Sequence, residues 1–343
     1  MKYRTLGRTG IKVSPYALGA MMFGAMGNPD HDESVRIIHR ALDSGINVID
    51  TADAYSRGES EEIVGKALKG GRRDDVVLAT KAALPMGDDP NLQGGSRRWL
   101  VRALDDSLRR LGTDHVDLFQ LHRPAPDTDV EETLAALTDL VRAGKVRAFG
   151  TSSLPASDIV EAQWTAERRG LLRFRTEQPT YSILNRGIER EVLPVAERYG
   201  MGVLVYSPLA GGLLTGRYRK GRTADTHRAG FGFRHLRDES RLDAVEQLLA
   251  LAKEAGLPPT HLAMAFAIAH PGVSSALVGP RTMEHLDDLL SGVETVLSDD
   301  VLDRIDAIVP PGTDVGTLDM AYNPPAIGRT GLRRRVADER AAA

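Results

Sequence analysis

Apolar residues recur along this chain in two alternating rhythms. From Asp30 the helical spacing of Val35, Ile38, Ala41 and Leu42 predicts an amphipathic helix, opened by Asp30 and Glu33 at capping-box separation. It stops at Gly45, and the apolar run Ile46 to Asp50 predicts a strand. The same unit returns with Ile63, Val64, Ala67 and Leu68, a stop at Gly70 and Gly71, and a strand from Val76 to Thr80. Leu100, Ala103, Leu104, Leu108 and Leu111 stop at Gly112 before Val116 to Leu121. Leu134, Leu137 and Val141 stop at Gly144 before Val146 to Gly150. Gly170 and Gly200 end two further helices, ahead of Phe174 to Gln178 and Val203 to Tyr206. Glycine suits these stops because it takes left-handed dihedrals without a Cβ penalty.

An initial strand near Ala17 to Gly19 and a final one at Ala276 to Gly279 bring the predicted strands to eight. Strands alternating with helices pair in parallel, and eight such units predict closure into a (β/α)8 TIM barrel. An open doubly wound sheet is the alternative. Its Gly-rich fingerprint after the first strand is absent from Gly19-Ala20-Met21-Met22-Phe23-Gly24. Three segments fall outside the repeat. Lys2 to Val13 reads as an N-terminal β-hairpin able to plug the barrel floor. Pro208 to Glu239 is a long loop after the seventh strand, and an irregular C-terminal tail runs from Pro310. Nothing resembles an interdomain linker, so residues 1–343 read as a single domain with 310–343 as its tail.

Composition narrows the function classes. Forty-four basic against 47 acidic residues leave a formal charge of -3, which offers no general attraction to nucleic acid or anionic membrane. The absence of cysteine removes disulfides, thiolate nucleophiles and Cys-ligated metals. Met1-Lys2-Tyr3-Arg4 leads into Gly and Thr rather than an apolar run, and the apolar stretch His261 to His270 is too short to span a bilayer. A cytoplasmic location is the expectation. No face stands out as an interface, which leaves a monomer or a small homo-oligomer open.

Barrel enzymes carry their chemistry at the C-terminal ends of the strands. The polar residues there are Asp50, with Tyr55 in the following loop, Lys81, His122, Thr151-Ser152-Ser153, Gln178 and Tyr206-Ser207. Reducing a carbonyl by hydride requires a proton for the oxygen. A phenol with a pKa of about 10 is a poor acid near neutrality. An ammonium beside it favours the phenolate, so Lys81 is expected to lower the pKa of Tyr55 while Asp50 keeps Lys81 charged. His122 is suited to hydrogen-bond the carbonyl oxygen. Each residue alone has a plainer role, as a cap, a packing group or a solvated strand end. Together on neighbouring strand ends they supply one reaction without a metal. A metal-dependent hydrolase built on His122 and Asp50 lacks further ligands on neighbouring strands.

The run Asn47-Val48-Ile49-Asp50-Thr51-Ala52-Asp53-Ala54-Tyr55 resembles the aldo-keto reductase signature around its catalytic Asp and Tyr. The resemblance extends through Tyr3 to Gly10, Ala79-Thr80-Lys81, Asp117 to His122, Lys145 to Gly150, Tyr206 to Leu209 and Val278 to Thr282. It implies catalytic roles for Asp50, Tyr55, Lys81 and His122, and reduction of an aldehyde or ketone to an alcohol with NADPH, NAD being the lesser candidate. It further implies that Ser152 and Gln178 hold the nicotinamide carboxamide while Tyr206 stacks on the ring, with Gly19, Met21, Asp50 and Ser153 in the same contact set. Ser207, Leu209, Ala210 and Gly211 would take the pyrophosphate through backbone N–H groups, with Arg217 and Arg228 as basic neighbours. Gly279, Arg281, His285 and Asp288 fall at the adenosine end, where Arg281 can read a 2′-phosphate. Asp88 and Asp89, in the Leu84 to Gly95 loop, disfavour a strongly anionic substrate. Two other readings are a cofactor-sensing regulatory subunit and a reductase specific for a deoxysugar intermediate.

Overall fold

The computed structural model describes residues 1–221, 227–316 and 322–341, without the side chains of 228 and 229. The candidate Arg228 therefore lies outside the described side chains. A two-stranded antiparallel hairpin, β1 (Arg4–Thr5) and β2 (Lys12–Val13), comes first. The next strands are β3 (Tyr16–Gly19), β4 (Val48–Asp50), β5 (Val77–Ala82) and β6 (Val116–Leu121). Then come β7 (Val146–Ser152), β8 (Thr176–Gln178), β9 (Gly202–Val205) and β10 (Ser275–Val278). These eight pair in parallel in chain order, and β9 meets β10 and β10 meets β3 to close the barrel.

Local chemistry explains the elements. Asp30 caps helix α1 (His31–Asp43) by accepting a hydrogen bond from the Glu33 N–H at 2.9 Å. Gly112 ends the helix Arg97–Leu111 with φ of 66°, the left-handed stop that the sequence pattern anticipates. Strand β4 begins at Val48 rather than Ile46, and the Asn47 side chain just before it ties the barrel to the hairpin. Its Oδ1 accepts from Ser14 N at 2.8 Å and its Nδ2 donates to Lys12 O at 2.8 Å.

Among the described residues two α-helices, Glu239–Glu254 and Pro259–Ala269, lie between β9 and β10, where a simple repeat has one. The helix Met283–Ser291 follows β10, and a further one, Asp299–Ile308, precedes the tail. The described part of the tail is irregular, with short turns at Pro325–Gly328, Thr330–Leu332 and Ala337–Glu339. No described helix is long and apolar enough to cross a membrane.

The hairpin closes the barrel floor. Leu6 and Val13 pack into the lumen against Ala17, Val48, Ala79, Leu118, Ala148, Leu204 and Leu277. Gly7 has φ of 53°, and a Cβ there would stand 2.3 Å from Gly202 N. Gly10, at φ of 81°, faces open space. We expect Gly7→Ala to lower stability by roughly 1–3 kcal/mol through overpacking, added to a left-handed strain of about 1–2 kcal/mol. Gly10→Ala should cost the strain alone. Thermal denaturation of the two variants reads the difference, and equal losses would refute the tight floor contact.

Candidate active site

Strand alternation sets the site. Side chains two residues apart share a face, so the residues above the floor layer of Val48, Ala79 and Leu118 are Asp50, Lys81 and Gln120. All three therefore project into the lumen at the C-terminal end. Lys81 is fully buried, and its Nζ donates to Asp50 Oδ2 at 2.6 Å, Thr51 O at 2.8 Å and Tyr55 Oη at 3.2 Å. The other Asp50 oxygen accepts from Gln178 Nε2 at 2.9 Å and Gln120 Nε2 at 3.2 Å. The Tyr55 ring lies 4.8 Å beneath the ammonium and meets the His122 ring edge-on at 5.5 Å. The four residues that the sequence singles out thus form one connected chain of contacts, Asp50 to Lys81 to Tyr55 to His122.

Burial sets their protonation. It alone would drive the Lys81 ammonium down, but Asp50 and Tyr55 beside it leave it above the ordinary lysine value. Burial raises the Tyr55 phenol above the ordinary value, although the Lys81 charge opposes the rise. From sequence alone the ammonium is expected to prevail at Tyr55, but burial outweighs it. Burial, with the charges of Lys81 and Arg123, holds His122 well below the usual imidazole range, so the ring is neutral at pH 7. Behind the site, burial lifts Glu177 to about 7, and burial with neighbouring Glu61 lifts Asp53 to about 7.

A cavity of about 1040 Å³ opens over this cluster and runs along the strand ends. Its volume is at the upper end for small-molecule sites. Gly19, Met21, Asp50, Tyr55, His122, Ser152 and Gln178 line the catalytic end. Tyr206, Ser207, Leu209, Gly211 and Arg217 continue the wall, and Gly279, Arg281, His285 and Asp288 complete it. Along the middle, Ser207, Ala210, Gly211 and Gly212 have φ of 55°, 50°, 69° and 103°. Clustered left-handed residues can turn backbone N–H groups to one side, and the two non-glycine positions carry strain of the kind found at binding sites. At the far end Arg217 Nη2 hydrogen-bonds His285 Nε2 at 2.9 Å. Burial and the charges of Arg217 and Arg281 lower the His285 pKa.

Several residues sit differently from the implied contact set. Ser153, at φ of 60°, bonds its hydroxyl to Tyr206 Oη at 3.1 Å and is not on the cavity wall. Ala210 is buried beneath the wall, within the core. The Ser152 hydroxyl donates to Gln178 O at 2.9 Å, and Gln178 gives an amide N–H to Asp50. Asp88 and Asp89 are exposed and do not line the cavity, whereas Leu84 does. Sequence reasoning missed Arg123, which lines the catalytic end, and Gln120, which fixes Asp50. Lumen parity two residues above Leu118 could have found Gln120.

The chain is 40% identical over 322 residues to "Uncharacterized oxidoreductase YrpG" of Bacillus subtilis, covering 90% of this chain and 96% of the relative. It is 37% identical over 320 residues to "Probable voltage-gated potassium channel subunit beta" of Oryza sativa subsp. japonica, covering 90% and 97%. It is 38% identical over 296 residues to "Aldo-keto reductase YhdN" of Bacillus subtilis, covering 84% and 88%. The sequence profile of the Aldo/keto reductase family matches residues 16–310. With a closed eightfold barrel and a match across nearly its whole length, this chain belongs to the aldo/keto reductase family of oxidoreductases.

Proposed function

We propose that the chain is an NADPH-dependent reductase that converts an aldehyde or ketone to an alcohol. The observation that carries this reading is the Asp50–Lys81–Tyr55–His122 cluster beside a cavity of about 1040 Å³. A reduced nicotinamide bound along the strand ends supplies the hydride. Tyr55 gives its hydroxyl proton to the carbonyl oxygen, and Lys81 Nζ at 3.2 Å stabilises the phenolate left behind. Asp50, tied by Gln120 and Gln178, holds Lys81 in place. His122 Nδ1 is buried with no hydrogen-bond partner among the described residues. A buried N–H without an acceptor is costly, so we assign the single proton of the neutral ring to Nε2, for donation to the carbonyl oxygen. Tyr206, steadied by Ser153, offers a stacking face, and Ser152 and Gln178 offer amide-compatible polar groups next to it.

The preference for NADPH rests on the far end of the cavity. Arg217, Arg281 and His285 gather there at the first turn of Met283–Ser291, whose N-terminus favours an anion. Arg281→Ala is expected to weaken NADPH about tenfold or more and NADH by less than threefold, the loss of one charge-assisted phosphate contact. Calorimetric titration with both cofactors checks it, and equal losses would show that Arg281 does not read the 2′-phosphate. The reading as a whole is tested by NADPH oxidation with a panel of aldehydes and ketones. A second reading, a cofactor-sensing subunit, is favoured by relatives named as potassium channel subunits beta in rice and Arabidopsis. Cofactor binding without turnover of any carbonyl in the panel would favour that second reading.

A further inference from the structure

We propose that Glu177 is a positioning residue for cofactor binding, whose carboxylate holds the turn after β7 from which Ser152 faces the cavity and Ser153 steadies Tyr206. The inference rests on the reading above of the cavity as a nicotinamide cofactor site, and it names a residue behind the wall that fixes its shape.

Strand register puts Glu177 within reach of that turn. Strands β7 and β8 pair Thr151 with Glu177 and Ser152 with Gln178. Successive side chains on a strand face opposite sides of the sheet. Gln178 reaches Asp50 in the lumen at 2.9 Å, so Glu177 and Thr151 face outward, toward the helix layer. Glu177 is fully buried there. One of its carboxylate oxygens accepts from the Thr151 hydroxyl, and the other accepts from Leu154 N at 3.1 Å. The carboxylate thus grips the chain on both sides of Ser152 and Ser153, and the Ser153 N–H favours its charge as well.

The turn depends on such a grip. Ser153 has φ of 60°, a left-handed conformation that a non-glycine residue keeps only where its surroundings impose it. Its hydroxyl meets Tyr206 Oη at 3.1 Å, and Tyr206 and Ser152 both line the cavity. Burial pushes the Glu177 carboxyl up to about 7. The Thr151 hydroxyl, the Leu154 and Ser153 N–H groups and the charge of Arg123, at the end of β6, all oppose that rise. Ionised, Glu177 makes charge-assisted bonds to the turn. Protonated, it keeps only the weaker neutral ones. Cofactor binding, which needs the turn in place, should therefore be strongest above about pH 7 and weaken as pH falls through that value.

The test is calorimetric titration of the parent and Glu177→Gln with NADPH from about pH 5.5 to 8.5, either side of the Glu177 value. The amide keeps the size of the carboxyl without its charge. The ratio of the two affinities cancels what the cofactor phosphate and His285 contribute by titrating. We expect the parent to bind about three- to tenfold more tightly at the alkaline end, the gain of a charge-assisted over a neutral hydrogen bond. At the acidic end the two should bind alike. Thr151→Val removes a donor to the carboxylate, so the midpoint of the pH profile should move upward, which a side chain that only filled space would not produce. A ratio that is the same at every pH, or a midpoint unmoved by Thr151→Val, overturns the proposal and leaves the cofactor reading standing. A parent chain that binds neither NADPH nor NADH at any pH overturns the cofactor reading, and the proposal falls with it.

Discussion

Tyr55→Phe is expected to lower kcat for aldehyde reduction by about 10²–10⁴, the usual contribution of a positioned general acid, with cofactor affinity changed less than twofold. The substitution removes only the oxygen that lies 3.2 Å from Lys81 Nζ. The ring keeps its edge contact with His122 at 5.5 Å and its place beneath the ammonium at 4.8 Å, so the cavity wall survives. Burial keeps the phenol above its ordinary pKa, and Tyr55 is therefore protonated throughout the neutral range. Reduction needs that proton, so its rate should stay level from about pH 6 to 9, below the ordinary phenol value near 10. Alcohol oxidation needs the phenolate, and its rate should climb as pH rises over the same range. Steady-state kinetics in both directions checks the assignment. A Phe variant within threefold of the parent would show that the proton comes from elsewhere.

The parts that sequence makes legible are those that local rules decide. A βα unit must bury one helix face and then turn sharply, so apolar period and glycine stop both appear in the chain, as at Leu108, Leu111 and Gly112. The catalytic cluster follows from the same logic, because a residue ending a parallel strand with lumen parity can only point into the mouth of the barrel. Asp50 and Lys81 meet these conditions, and they pair at 2.6 Å. Loops obey no such rule. The exposure of Asp88, the burial of Ala210 and the turn of Ser153 toward Tyr206 depend on left-handed or irregular backbone that no periodicity encodes. Protonation is likewise hidden. The sequence shows that an ammonium neighbours Tyr55, but the depth of burial that outweighs it is a property of the closed barrel. The helix Glu239–Glu254 escapes the repeat because it adds a second helix where the pattern needs only one.

Lys81→Met is expected to damage stability and catalysis together, and a second substitution should separate them. Lys81 and Asp50 form an ion pair with almost no solvent exposure. Removing one partner of such a pair costs about 3–5 kcal/mol, because the remaining charge is left buried. Gln120 and Gln178 still donate to Asp50, so the loss should fall toward the lower figure. Catalysis suffers for another reason. The ammonium favours the Tyr55 phenolate, and without it the phenol becomes a weaker acid and its anion is left unsupported. We expect kcat to fall at least a hundredfold, within the range for losing acid catalysis. Asp50→Asn combined with Lys81→Met removes both charges, and urea denaturation should find most of the lost stability restored. Turnover should stay as low as in the single variant, since the proton donor is still without its ammonium. A double variant that regains turnover with stability would mean that Lys81 acts by holding the fold, and the acid mechanism at Tyr55 would have to be rebuilt on another cation.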